Sequence, residues 1–315
     1  MSGSGTVTGV PPASSPGLRA RFFASAGWQM FVASPLAMAA AGWLVFIIVV
    51  ALVGPALFGE EANHQNLALR FFRPFQLDKG FAFVLGADSL GRPILLQLVI
   101  GAQTSVTIAF FAVAISALLG YAIGLLSGYF GGWTDNILLR LADILHTIPS
   151  LLLALVVLFV LEPSIFNLVV VLGITRIPIY LRTARAQTLE VRERTFVEVA
   201  RALGASNWRI MTRDIAPMVL PTIRTLAMLE VATVILASAS LTFLGIGLQR
   251  PDVDWGMMVA DGRAYLRTAW FVTVFPGVVI VLTALSANIV SNWLRAVEDP
   301  TQSALFIRAG RRSER

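Results

Sequence analysis

Long charge-free intervals decide what this chain can fold into. No charged side chain falls between Arg21 and Glu60, between Arg92 and Asp135, or from Thr268 to Leu294. About 20 apolar residues suffice to cross a bilayer, and each interval is longer than that. Backbone N–H and C=O groups cannot stay unpaired in hydrocarbon, so these intervals are read as helices and not as open strands. Only 13% of the residues are charged, against about 25% in a soluble domain. The chain is therefore expected to be an all-α integral membrane protein with several spans.

Six spans are expected. The first is an apolar run from Pro35 to Phe58, with the helix placed at 36–58. The second is long and tilted, near 98–127, and the third lies near 137–160 with Pro149 inside. A fourth, near 165–185, is interrupted by Arg176 and Pro178. A fifth, near 219–247, contains Glu230, and the sixth is the charge-free run over 268–294. The expected organisation is a tail over 1–35, the first helix, an external loop over 59–97, a core over 98–295 with the other five helices, and a tail over 296–315. Residues 1–17 are uncharged and rich in Ser, Gly, Thr and Pro. They read as a disordered tail, since a signal peptide opens with a basic region and a short apolar run.

Basic residues set the expected orientation. With six spans, the two tails and the connections after the second and fourth spans share one side. That side holds 17 of the 24 basic residues and the other holds seven. The richer side is read as cytoplasmic, with both termini in the cytoplasm of a multi-pass membrane protein.

Residue usage narrows the chemistry. Lys79 is the single lysine, and no G-x-x-x-x-G-K-[ST] loop surrounds it. That loop is how a P-loop protein holds phosphates, so ATP hydrolysis by this chain through it is not expected. Cysteine is absent, and His64 and His146 are far apart. No catalytic residue, metal site or cofactor is expected, and no nucleic-acid partner. Asp252, Asp254 and Asp261 could suggest a cation site, but with Arg250 and Arg263 among them they are read as a solvated external loop.

One polar stretch stands between two apolar runs: TFVEVARALGASNWRIMTRDIAP, Thr195 to Pro217. Phe196, Ala200 and Leu203 recur at i, i+4 and i+7, one helical face. Glu198 and Arg201 form an i,i+3 pair on another. Gly204 lets the backbone turn or come close to another chain. A short, low-relief cytoplasmic helix of this kind suits a partner's cleft; the plainer reading is a solvated loop whose arginines only satisfy the positive-inside bias.

Within this stretch, EVARALGASNWRIMTRDIAP resembles the EAA loop of bacterial ATP-binding-cassette (ABC) importer permeases. Glu198, Val199 and Ala200 stand for E-A-A, Gly204 follows at the family's offset, and Ile215, Ala216 and Pro217 close the motif. Val199 and Ala216 depart from the usual Ala and Leu. GADSLGRP (Gly86 to Pro93), GYFGGWTDNILLRLADILHTIPSLLLA (Gly128 to Ala154), SLTFLGIGLQRPDVDWGMMVADGR (Ser240 to Arg263) and FPGVVIVLTALSANIVSNWLR (Phe275 to Arg295) extend the likeness to the dipeptide/oligopeptide/nickel permeases, C-type subunit. Pro93 replaces an acidic residue, and no alignment to the family is read over 59–85.

The resemblance implies a type I (MetI-like) transmembrane domain that takes up di- or oligopeptides or a related solute. It also implies a second homologous permease, two cytoplasmic ATP-binding subunits and an external or periplasmic solute-binding protein, all around membrane lipid. The loop over 190–217 would couple to the ATPases through Phe196, Glu198, Val199, Ala200, Leu203, Gly204, Ile215 and Pro217. Glu230, inside the fifth span, lines a pathway or subunit seam, or else is a carboxylate partnered by Arg224 or water. The rival class is an ion-coupled secondary transporter. It is expected to show polar mid-membrane groups in two matching halves, and no matching halves are visible.

Overall fold

A computed structural model describes residues 26–76 and 78–298. The expected tail over 296–315 therefore lies largely outside the described residues, as does the tail before residue 26. The fold is helical; an isolated bridge between Ala87 and Pro93 is the nearest thing to a strand among the described residues. A short helix α1 (Ala26–Val32) precedes α2 (Pro35–Asn63), which Ser34 caps by accepting the Ala37 N–H at 3.3 Å. Then come α3 (Ile94–Phe130), α4 (Gly132–Thr147), α5 (Ser150–Val160), α6 (Ile165–Arg192) and the short α7 (Thr195–Ala202). A helical turn Asn207–Arg209 and a π-helical segment Ile210–Ile215 lead into α8 (Ala216–Phe243), followed by α9 (Trp255–Gly262) and α10 (Phe271–Glu298).

Five of these helices are long and apolar enough to cross a membrane, and α4 with α5 makes a sixth crossing if the bent pair is one span. That pair corrects the expectation of a plain third span. The two helices meet at 82°. Ile148 (φ −84°, ψ 127°) and Pro149 (φ −52°, ψ 124°) are both extended. A proline disfavours helical backbone in the residue before it and donates no N–H of its own, so the helix stops there. The 11 residues of α5 reach only about 16 Å at 1.5 Å per residue, short of a ~30 Å hydrocarbon layer.

The fourth span departs the other way. α6 runs unbroken through Arg176 and Pro178. Its packing against α3 explains how. Gly120, Gly124 and Gly128 recur every four residues along α3, and α6 lies on that bare stripe. A Cβ at Gly120 would sit 2.4 Å from the Tyr180 Cβ; one at Gly124 would sit 2.6 Å from both the Leu181 carbonyl oxygen and the Ala184 Cβ. At Gly128 it would be 2.7 Å from the Thr188 Cβ. Small residues at this spacing let helix backbones approach in a membrane, where packing and not water expulsion drives association.

Polar clasps extend the α3–α6 pair to its end. Arg185 holds Asp135 of α4 in a two-pronged ion pair at 2.5 and 2.6 Å, and Ser127 donates to the same carboxylate at 2.5 Å. Arg192 donates to the Gly128 carbonyl at 2.9 Å, covering the C-terminus of α3. At the opposite end, Asp88 accepts the N–H groups of Leu90 and Arg92 and pairs with the buried Arg92 guanidinium at 2.5 Å. Gln97 on the next turn donates to the Ala62 carbonyl at 2.5 Å. The GADSLGRP stretch is thus a folded clasp that binds the 59–85 connection to the start of α3.

The connection over 248–267 is not the solvated loop expected. α9 lies within it, and Asp254 and Trp255 are each 1% exposed. Asp254 caps α9 by accepting the Met257 N–H at 2.7 Å and accepts from the Thr242 hydroxyl at 3.0 Å. The Trp255 indole donates to the Leu98 carbonyl at 3.1 Å. Gly101 and Gly256 make room for this: Gly101 faces Trp255 and Gly256 faces the Ala239 backbone. Burial raises the Asp254 carboxyl to about 6, against the lowering pull of the hydrogen bonds it accepts from Met257, Thr242 and its own backbone N–H.

Candidate functional site

At the α7 end of the bundle the chain leaves α6 at Arg192 and turns through Glu193 and Arg194 into α7. Glu198 stands in the first turn, where an acid favours the helix dipole. The helix ends in a Schellman arrangement. The Ala205 N–H reaches back to the Ala200 carbonyl and the Gly204 N–H to the Arg201 carbonyl, both at 3.0 Å. Gly204 carries the left-handed backbone this needs, with φ +82°. A Cβ there would meet nothing within 4 Å, so within this chain the position needs glycine for its backbone and not for space. Ser206 then caps the next turn by accepting the Arg209 N–H at 3.3 Å.

The inward side of α7 rests on Val197, fully buried, with Ala200 and Ala205 partly buried beside it. They pack on a cluster that includes Tyr129 of α3, Tyr180 and Val191 of α6, and Ile210, Ile215 and Val219. Two tyrosines of α3 reach into the segment: Tyr129 donates to the Asn207 side-chain oxygen at 2.8 Å, and Tyr121 to the Ala216 carbonyl at 2.6 Å. The π-helical turn ahead of α8 has a local cause. Pro217 and Pro221 donate no N–H, and the Ala216 N–H bonds to the Met211 carbonyl, five residues back.

The outward side is apolar. Phe196 is 40% exposed, Val199 51% and Leu203 82%, with Trp208 following at 66%. The expected face of Phe196, Ala200 and Leu203 is thus shifted: Val199 joins the exposed stripe, and Ala200 marks its edge against the core. Glu198 and Arg201 are both exposed and form no ion pair with each other, unlike the expected i,i+3 contact. Ile215 is fully buried as a foot of the segment, and Pro217 is exposed in the first turn of α8.

Glu230 lies apart from this surface, in the middle of α8. Its partner is neither Arg224 nor another helix end. Arg176 of α6 approaches it, Nε to Oε2, at 3.6 Å, and Glu230 is only 4% exposed. Reading the sequence missed Arg176, which was placed in a broken stretch, and missed Val197, whose burial depends on α7 turning under α3. It also missed the glycine stripe, although G-x-x-x-G in an apolar run is a packing signal.

A family profile described as "Binding-protein-dependent transport system inner membrane component" matches residues 120–303, and another, "N-terminal TM domain of oligopeptide transport permease C", matches 22–74. The chain is 36% identical over 271 residues to the "Probable D,D-dipeptide transport system permease protein DdpC" of Escherichia coli (strain K12), covering 86% of this chain and 89% of that one. It is 34% identical over 275 residues to the "Glutathione transport system permease protein GsiD" of Pectobacterium atrosepticum, covering 87% and 89%. Among solved structures, a chain of the MetNI methionine ABC transporter in an inward facing conformation superposes with TM-score 0.52 at 19% identity, covering 65% of this chain and 98% of that one. At that identity the likeness concerns the fold.

Proposed function

The chain belongs to the family of binding-protein-dependent transport-system inner-membrane components, and on that premise we propose that it passes small peptides or a related solute across the inner membrane as one permease subunit of an ABC importer. The relatives named for dipeptide and glutathione transport support this substrate class, and the importer fold favours it over an ion-coupled transporter. The partners are a second homologous permease, two cytoplasmic ATP-binding subunits and an external or periplasmic solute-binding protein. α7 and both termini face the cytoplasm.

The observation that carries the reading is the apolar stripe of Phe196, Val199 and Leu203 on a short helix whose other side is anchored. An exposed apolar patch of this kind marks a contact site. The stripe is the docking surface for an ATPase subunit. Val197, Tyr129 and Tyr121 tie it to α3, and the glycine stripe ties α3 to α6. A push on α7 is thereby delivered to two spans as one body. Each nucleotide state must make different contacts with α7 for this to shift the spans.

The test uses proteoliposomes holding this chain with its partner subunits. Uptake of labelled dialanine or glutathione is expected to need both ATP and the ATPase subunits. Uptake driven by an ion gradient without them contradicts the reading. Orientation is read separately, since the chain has no native Cys. Ser206→Cys should resist an impermeant thiol reagent in spheroplasts, while Gln249→Cys should react.

A further inference from the structure

Arg176 and Glu230 sit deep in the bundle. Arg176 is about 17 Å along α6 from Ile165, and Glu230 about 20 Å along α8 from Phe243. Both are thus near the middle of a ~30 Å apolar layer. Their approach of 3.6 Å is an ion pair without a hydrogen bond: Arg176 Nε and Glu230 Oε2 are buried and lack a hydrogen-bond partner. Buried polar groups are normally bonded, and each exception calls for a reason. The guanidinium makes no hydrogen bond among the described residues, and the Arg176 side chain is 18% exposed where Glu230 is 5%. The guanidinium is thus the more accessible partner of the pair, and the glutamate the more enclosed one.

A cleft of about 410 Å³ opens between α6, α8 and α10 toward the α7 end, lined by Thr183, Thr222, Thr225, Leu226, Arg295 and Glu298. Thr183 is two helical turns from Arg176 on α6, and Leu226 is one turn from Glu230 on α8, so pair and cleft share one face of each helix. Three threonines and two charges are an unusual lining for a surface meant only for lipid.

We propose that the Arg176 guanidinium, paired with Glu230 on the helix faces that carry this cleft, is a binding point for the carboxylate of a transported solute. The planar fork of an arginine matches a carboxylate bidentately. The Glu230 carboxylate offsets the charge while no solute is present, so the site is not an isolated cation in the membrane. Identifying that carboxylate as the C-terminus of a peptide rests on the peptide-import reading above.

The test uses the full chain in lipid nanodiscs carrying Leu226→Cys, labelled by a neutral maleimide. The probes are dialanine, dialanine amide and N-acetylalanine. Dialanine and N-acetylalanine are expected to slow labelling by about threefold at twice their Kd, from the factor 1 + [L]/Kd. Dialanine amide, which has no carboxylate, should not. Arg176→Gln should abolish protection, and Arg176→Lys should retain part of it. Because Arg176→Gln strands Glu230, the double change Arg176→Gln with Glu230→Gln is measured beside it; it should melt like the parent and still lose protection. Protection that survives in the double variant, or is equal for the acid and the amide, or is absent with every probe, overturns the proposal and leaves the pair a structural clip. Protection by N-acetylalanine in a chain whose full complex imports no peptide upholds the carboxylate site and refutes only the peptide reading.

Discussion

At the end of the bundle that carries the 59–93 connection and α9, charged side chains are buried and bonded; at the α7 end, an apolar stripe on one short helix stands in the open. Asp88 with Arg92, and Asp254 with Thr242, lock connecting segments onto the spans. Phe196, Val199 and Leu203 keep 40%, 51% and 82% of their surface exposed among the described residues. One end ties its connections down with buried polar bonds, although Leu67, Phe75 and Phe81 stay exposed there; the other mounts an exposed apolar stripe on a helix anchored by Val197. Between them runs the glycine-lined seam of α3 and α6.

The comparison breaks most severely at that seam. Gly124→Leu places side-chain atoms where Leu181 and Ala184 already stand. Inserting extra methylenes costs ~1–3 kcal/mol and at times more; a whole leucine side chain against backbone goes beyond that range, because the helices can relieve it only by separating. The variant is expected to lose most of its membrane abundance and its cooperative melt in detergent. Parent-like abundance would mean the seam is looser than its geometry.

The closed end should fail next. Asp88→Ala strands a buried guanidinium, a loss of about 3–5 kcal/mol. Thermal unfolding in detergent should shift strongly downward, and Asp88→Asn with Arg92→Met should recover part of it. An unchanged midpoint for Asp88→Ala would remove the clasp from the account.

Asp254 gives a milder effect with a definite sign. Its carboxyl stands at about 6 in the fold against an ordinary 3.8. The fold thus holds a proton that the unfolded chain releases, so its contribution to stability is largest below pH 4 and declines as pH rises toward 6. Asp254→Asn keeps an amide oxygen to cap α9 and has no charge to bury. It should melt at or above the parent at pH 7 and lack the parent's loss between pH 4 and 6. A parallel pH profile for both proteins would place that titration elsewhere.

The spans were legible because length and charge-free composition are one-dimensional quantities. The α7 segment was legible because Gly204 and its neighbours form a local pattern, and the Schellman bonds behind it are local too. The bend at Pro149 was half visible: the proline was plain, but whether it kinks or breaks a helix depends on α4 being held to α6 by Arg185 and Arg182. Asp254 looked solvated because nothing in the spelling of 248–267 reveals that Gly101 and Gly256 clear room for Trp255. Arg176 and Glu230 are 54 residues apart, and only the packing of α6 on α8 makes them partners.

The smallest expected effect on stability falls on the open end, and it carries the central claim. Leu203 is 82% exposed and belongs to no core cluster among the described residues, so Leu203→Glu should change stability by no more than about 0.5 kcal/mol. The decisive measurement is retention of the ATPase subunits on the affinity-purified permease, read together with membrane abundance and ATP-driven uptake. The account predicts normal abundance and melting with the ATPase subunits lost or uptake abolished. Leu203→Glu, or the triple change of Phe196, Val199 and Leu203 to Ser, retaining both its ATPase subunits and parent-level uptake would contradict it.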